Sequence, residues 1–237
     1  EYVAAAVTAC RAALDGRAPD LDALQAVFSR SGFTDEYLTG RRSVSMYGFR
    51  RKEDVTAAAP VLVNAGISGD NAVNGLKRLE RDVLRFRPDA VVVNFGLNDS
   101  TNPDVEGGCR QYAQAMRTIF QRVRETGAEC ILLTPNHMCR YLLPEVPDGK
   151  LREAARACMI SQNDGILSRY VAAARLAARE TGAVVADAYA KWDALERAGV
   201  DTTRLLSNWI NHPTVEMHGL FVEALMEAML AGAESER

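Results

Sequence analysis

Ala90-Val91-Val92-Val93-Asn94-Phe95-Gly96-Leu97-Asn98-Asp99 is an apolar run that breaks into Gly-Leu-Asn-Asp. β-Branched residues at this density read as a strand buried on both faces, as in a parallel sheet. Ligands of open α/β sheets sit just beyond the carboxyl ends of such strands, so the turn Gly96–Asp99 lies where chemistry is expected. Upstream, Val61-Leu62-Val63-Asn64-Ala65-Gly66-Ile67-Ser68-Gly69-Asp70 repeats the design, an apolar run followed by a polar, glycine-rich turn. Downstream, Asn208-Trp209-Ile210-Asn211-His212-Pro213 supplies a histidine.

From Pro60 onward strands and helices alternate. Strands are expected at 61–64, 90–95, 131–133 and 183–186. Helices are expected at about 71–86, 108–126, 151–181 with a bend near Asn163–Gly165, 190–198, and from Thr214 to about Leu230. Val73, Leu76, Leu79, Val83 and Phe86 recur at helical spacing, as do Tyr112, Met116, Ile119, Phe120 and Val123. Short apolar strands alternating with helices imply an α/β fold, a three-layer α/β/α sandwich around a parallel sheet. The loop 135–150, with Pro144, Pro147 and Gly149, is long enough to carry function.

The 237 residues, 48% of them hydrophobic, suffice for one good-sized core. A net charge of −3 weighs against nucleic acid or an acidic membrane as partner. No apolar run approaches the ~20 residues of a membrane span. The opening Glu1–Ala6 lacks the basic and leucine-rich regions of a signal peptide, so a cytoplasmic location is expected. The five cysteines include no Cys-x-x-Cys pair and read as free thiols in a reducing compartment. His137, His212 and His218 are scattered without a paired carboxylate motif, so neither a metal site nor a cofactor is expected. His137 reads as a solvated surface residue and His218 as structural.

Taken in order, Asn64-Ala65-Gly66-Ile67-Ser68-Gly69-Asp70, Gly96-Leu97-Asn98-Asp99 and Asn208–Pro213 resemble three of the conserved blocks of the SGNH/GDSL hydrolase family. The resemblance implies ester hydrolysis by a serine nucleophile and a histidine base, with an oxyanion hole built from backbone and amide donors. Gly69 matches the family's oxyanion glycine and Asn98 its oxyanion asparagine. His212 matches the base, set just before Pro213 at a helix start. Asn208 stands in place of the family's aspartate and brings no charge to orient the imidazole. Gly69, Asn98 and His212 are expected to converge on one small cleft.

The family's Gly-Asp-Ser block, with the nucleophile, is absent. Ser43 is its best formal substitute, since Ser43-Val44-Ser45 mimics the family's Ser-Ile-Thr. Yet Arg42 replaces the aspartate and no apolar strand precedes it; Ser31 is a weaker alternative. The slot of the family's first strand is therefore expected to be vacant or poorly filled.

Residues 1–58 read differently, as a partly helical appendage with helices at 2–15 and 20–29. Phe28-Ser29-Arg30-Ser31-Gly32-Phe33-Thr34 and Met46-Tyr47-Gly48-Phe49-Arg50 resemble a fragment of the collagenase-like bacterial peptidase family. The expected organisation is an appendage over 1–58 and a hydrolase-like domain over 59–237. The expected function is hydrolysis of a small acyl ester, such as an acetyl group on a carbohydrate, impaired by the missing block. The alternatives are a non-catalytic remnant or binding module, and a fragment of a collagenase-like peptidase.

Overall fold

The structure is a computed structural model and describes residues Leu62–Glu234. The chain divides after Gly66, and the elements below belong to the unit from Ile67 onward. Three parallel strands, β1 (Ala90–Val93), β2 (Glu129–Leu133) and β3 (Val184–Ala186), lie in the order β1-β2-β3. Val92 pairs with Ile131, and Leu132 with Val185. Six helices accompany them among the described residues: α1 (Ala72–Asp82), α2 (Val105–Glu125), α3 (Lys150–Asn163), α4 (Ile166–Thr181), α5 (Ala188–Arg197) and α6 (His218–Glu234).

Strand alternation divides the core. Cys130 and Leu132 enter a cluster with Leu79 of α1, Met116, Ile119, Phe120 and Val123 of α2, and Tyr170, Ala174 and Ala177 of α4. Ile131 and Leu133 join Ala186, Phe221, Ala224 and Leu225 of a second cluster, which sets α6 against the sheet. Helices thus cover both faces, giving the expected α/β/α layers. Each fully buried side chain such as Phe120 contributes about 1.5–3 kcal/mol. A third cluster gathers Met138 and Leu143 after β2, Ala155 and Cys158 of α3, Tyr189 and Trp192 of α5, and Leu206 and Ile210. It fixes the loops that follow the strands.

Polar caps set the helix starts. Asn71, Asp104 and Asp187 each accept a backbone N–H from the first turn of α1, α2 and α5. The bend expected near Asn163–Gly165 is a full break between α3 and α4, where Gly165 takes φ +70°.

Two expectations are corrected. Leu62–Asn64 is not a strand: Leu62 is 81% exposed, and Asn64 Oδ1 accepts the N–H of Gly66 in a local turn. An apolar run becomes a strand only with a ladder partner, and its backbone takes none among the described residues. β1 is not buried on both faces either, since Val92 is 44% exposed. Among the described residues β1 pairs on one side only, with β2. Ser31, Ser43, the appendage helices and the first-strand slot fall outside the described residues. No described helix is long and apolar enough to cross a membrane. Cys109, Cys130, Cys139 and Cys158 are free thiols, as expected.

Candidate active site

The loops before α1 and after β1 are tied together by two bonds from the Gly-Leu-Asn-Asp turn. Asn98 Nδ2 donates to the carbonyl of Asp70 at 2.8 Å, one residue from Gly69. Asp99, buried, accepts the N–H of Ala72 at 3.0 Å on one oxygen and that of Gly96 at 3.1 Å on the other. A carboxylate at the first residue of a helix also suits the helix dipole. Burial pushes the Asp99 carboxyl above the ordinary carboxylate range, and the N–H groups of Ala72 and Gly96 oppose that shift. Both oxygens act as acceptors, an arrangement that fits the ionised form. The one signal of this role in the sequence is the place of Asp99 at the end of the Gly-Leu-Asn-Asp motif.

Gly69 sits in an exposed turn at φ +74°, a left-handed conformation that favours glycine. Asp70 beside it is held by Arg78, whose Nε lies 2.7 Å from Asp70 Oδ2. Asn98 is exposed at the start of the 3-10 turn Asp99–Thr101. One N–H of its amide is engaged by Asp70, which leaves the second as a donor. Asn98 also lines a cleft of about 180 Å³ rich in amides, with Asn71, Asn74, Asn102, Gln111 and Tyr112. The Tyr112 hydroxyl donates to the carbonyl of Phe95, and burial pushes its pKa up, so it keeps its proton.

His212 lies on a different loop and does not line that cleft. Its segment is closed by pairing of Leu206 with Pro213 and by the Ser207 N–H bonded to the His212 carbonyl at 2.7 Å. Asn208 organises the turn between them. Its Oδ1 accepts the N–H groups of Ile210 (3.0 Å), Asn211 (3.0 Å) and His212 itself (2.9 Å). Asn208 therefore positions His212 through the backbone, with its carbonyl committed away from the imidazole. Among the described residues no ion pair or side-chain hydrogen bond engages the exposed imidazole. Glu216 is fully exposed, with its carboxyl held down by its own backbone N–H and by Thr214. Trp209 takes φ +56°, an uncommon conformation for a bulky residue, in the middle of this turn.

The other histidines divide. His218 Nδ1 lies 2.8 Å from the Thr214 carbonyl at the start of α6, a structural place. His137 is not a surface residue. It is fully buried, with Nε2 at 2.8 Å from Asp193 Oδ1, and its ring lies 4.7 Å from that of Tyr189 and 6.0 Å from that of Trp192. Its loop folds inward because Met138 and Cys139 join the third core cluster. Asp193 and Glu196, three apart on one helix, were the only sequence trace of its surroundings. Ser100 Oγ donates to the Leu97 carbonyl and accepts from Ser161 of α3.

The sequence model of the GDSL-like lipase/acylhydrolase family matches residues 31–220. The chain belongs to this family. The matched span of this SGNH/GDSL hydrolase begins at Ser31 and includes Ser43. Over 85 residues it is 34% identical to esterase TesA of Pseudomonas aeruginosa, a match over 34% of this chain and 41% of the relative. The chain thus spans about two-fifths of the length of that curated relative. Its fold resembles that of Axe2, an acetylxylan esterase from Geobacillus stearothermophilus, with a TM-score of 0.52 and 20% identity over 69% of each chain. It also resembles LAE5, an α/β hydrolase enzyme from the metagenome of Lake Arreo, with a TM-score of 0.50 and 20% identity over 68% of each chain.

Proposed function

We propose that this SGNH/GDSL hydrolase cleaves a small acyl ester, an acetyl group on a carbohydrate, at a reduced rate. The bond from Asn98 to the Asp70 carbonyl carries the reading, because it holds an amide donor beside the Gly69 turn. In the reaction, Ser43 Oγ attacks the ester carbonyl and its proton passes to His212. The oxyanion of the tetrahedral intermediate accepts from the Gly69 N–H and from the second N–H of Asn98. His212 returns the proton to the departing sugar hydroxyl, and water then releases the acyl group from Ser43. The amides around Asn98 suit a hydroxyl-rich alcohol. The likeness to an acetylxylan esterase supports that choice, and structures of its catalytic mutants replace a serine, an aspartate and a histidine. Residues 59–237 form the hydrolase domain in this reading, and 1–58 an appendage.

The reduced rate follows from Asn208. Without a carboxylate on the imidazole, the imidazolium formed in each step lacks a counter-charge. The same observation favours a second reading, a non-catalytic binding module that retains the cleft. Incubation with a fluorophosphonate probe and with p-nitrophenyl acetate separates the two. Labelling at Ser43 that is lost in His212→Ala, with turnover reduced about 10²–10³-fold by Asn98→Ala, is expected for the enzyme. Neither labelling nor turnover above that of buffer would leave the binding module.

A further inference from the structure

We propose that His137 Nδ1 and Glu196 form a binding site for a divalent transition-metal ion of the Zn2+ class, with Asp193 as the positioning carboxylate behind the imidazole. The ligand atoms of the three residues lie within 4.8 Å of one another. Asp193 and Glu196 are three apart on α5, so both reach the same side of the helix.

The hydrogen bonds of the imidazole dictate its tautomer. Asp193 Oδ1, at 2.8 Å from Nε2, can only accept, so Nε2 carries the proton. In the neutral ring, Nδ1 is then a bare lone pair. It is fully buried, takes no hydrogen bond, and faces Glu196 Oε2 at 3.6 Å. Two acceptors that face each other with nothing between them repel. A cation between them turns the repulsion into coordination. Zn–N and Zn–O bonds of about 2.0–2.1 Å at a tetrahedral angle put two ligand atoms about 3.4 Å apart, close to the observed gap.

A proton on Nδ1 would need an acceptor within hydrogen-bond reach, and Glu196 Oε2, at 3.6 Å, lies beyond it. The neutral ring, with its proton on the carboxylate side and its free nitrogen on the other, is the form in which metal-bound histidines are held. The rings of Tyr189 and Trp192 keep it in that orientation. Asp193 and Glu196 border an open groove of about 380 Å³ with Ala190 and Arg197, so the carboxylate side of the site faces solvent. Arg140 competes, because its Nη2 also contacts Glu196 Oε2. An entering metal must displace that guanidinium, which sets the affinity below that of a three-ligand site.

Equilibrium dialysis of the chelator-treated full chain against Zn2+ tests the site, with ¹⁵N NMR of the histidine rings as the second readout. One Zn2+ per chain is expected, with a shift of His137 Nδ1 while Nε2 stays protonated. Glu196→Gln should weaken binding at least about tenfold, and Asp193→Asn about 10–100-fold. Arg140→Gln should tighten it by removing the competing cation, an effect that a purely structural ion-pair network does not produce. His212→Ala and His218→Ala should bind like the parent. Binding indifferent to Glu196→Gln, no saturable binding, or an apo protein with its proton on Nδ1 would each overturn the proposal. The NMR result on the unsubstituted chain keeps the test decisive if a variant fails to fold.

Discussion

Replacing Asn208 by alanine and by aspartate separates its two roles. The alanine variant removes one oxygen that accepts three backbone N–H groups, at 2.9–3.0 Å, from Ile210, Asn211 and His212. Each such bond is worth about 0.5–1.5 kcal/mol net, and water partly replaces them because Asn208 is only half-buried. A loss of about 2 kcal/mol follows, which lowers Tm by about 4–8 °C for a chain of this size. Aspartate keeps the acceptor, and charge-assisted bonds are roughly twice as strong as neutral ones. Its cost is the bond from Asn208 Nδ2 to Asn211 Oδ1, which a flip of the Asn211 amide restores. Asn208→Asp should therefore unfold at or above the parent temperature near pH 7 and hydrolyse p-nitrophenyl acetate modestly faster, because the added negative charge, held on the backbone of the His212 turn and not on the ring, still favours the imidazolium. Thermal unfolding followed by circular dichroism, together with the ester assay, checks both. An alanine variant that melts with the parent, or an aspartate variant that melts below the alanine one, would refute the role assigned to the Asn208 oxygen.

Asp99→Ala leaves the buried N–H groups of Ala72 and Gly96 unpaired, at about 1–3 kcal/mol each, so the urea midpoint should fall sharply. Asp99→Asn should recover little, because its NH2 must face one of those donors. Gly69→Ala meets no atom within 4 Å among the described residues, so its cost is backbone strain, about 1–2 kcal/mol, and Gly69→Asn should cost less; equal losses in urea unfolding would count against the left-handed turn. Burial holds His137 below 6.5 in the folded chain, so the unfolded chain takes up that proton first as pH falls. Stability present above pH 6.5 is then lost below it. Urea midpoints across that range should show the loss, and His137→Gln should flatten it; an unchanged slope in the variant would disprove the assignment.

Short-range periodicity made most of the fold legible. The run Ala90–Val93 showed its strand but not its exposure, while the spacing from Tyr112 to Val123 carries its buried face in its own pattern, because a helix face repeats about every 3.6 residues. The same reasoning failed at Leu62–Asn64, where the pattern was apolar but the stretch is exposed and Asn64 turns its side chain onto the Gly66 N–H. A strand is a property of a pair, and the sequence of one member does not contain the other.

The motifs Gly69, Asn98 and His212 were visible as residue types in order, and the family to which the chain belongs followed from them. Their geometry was not. The bond from Asn98 to Asp70 joins positions 28 apart, and the clasp of Asp99 on Ala72 spans 27. The same limit hid His137. A histidine in a long polar loop reads as solvated until Tyr189, Trp192, Asp193 and Glu196, more than fifty residues on, close around it. The sequence alone determined which groups can donate, accept or take up a proton. Only the tertiary structure decided which of them meet, because burial and hydrogen-bond partners are set by contacts between distant segments and are written in neither segment alone.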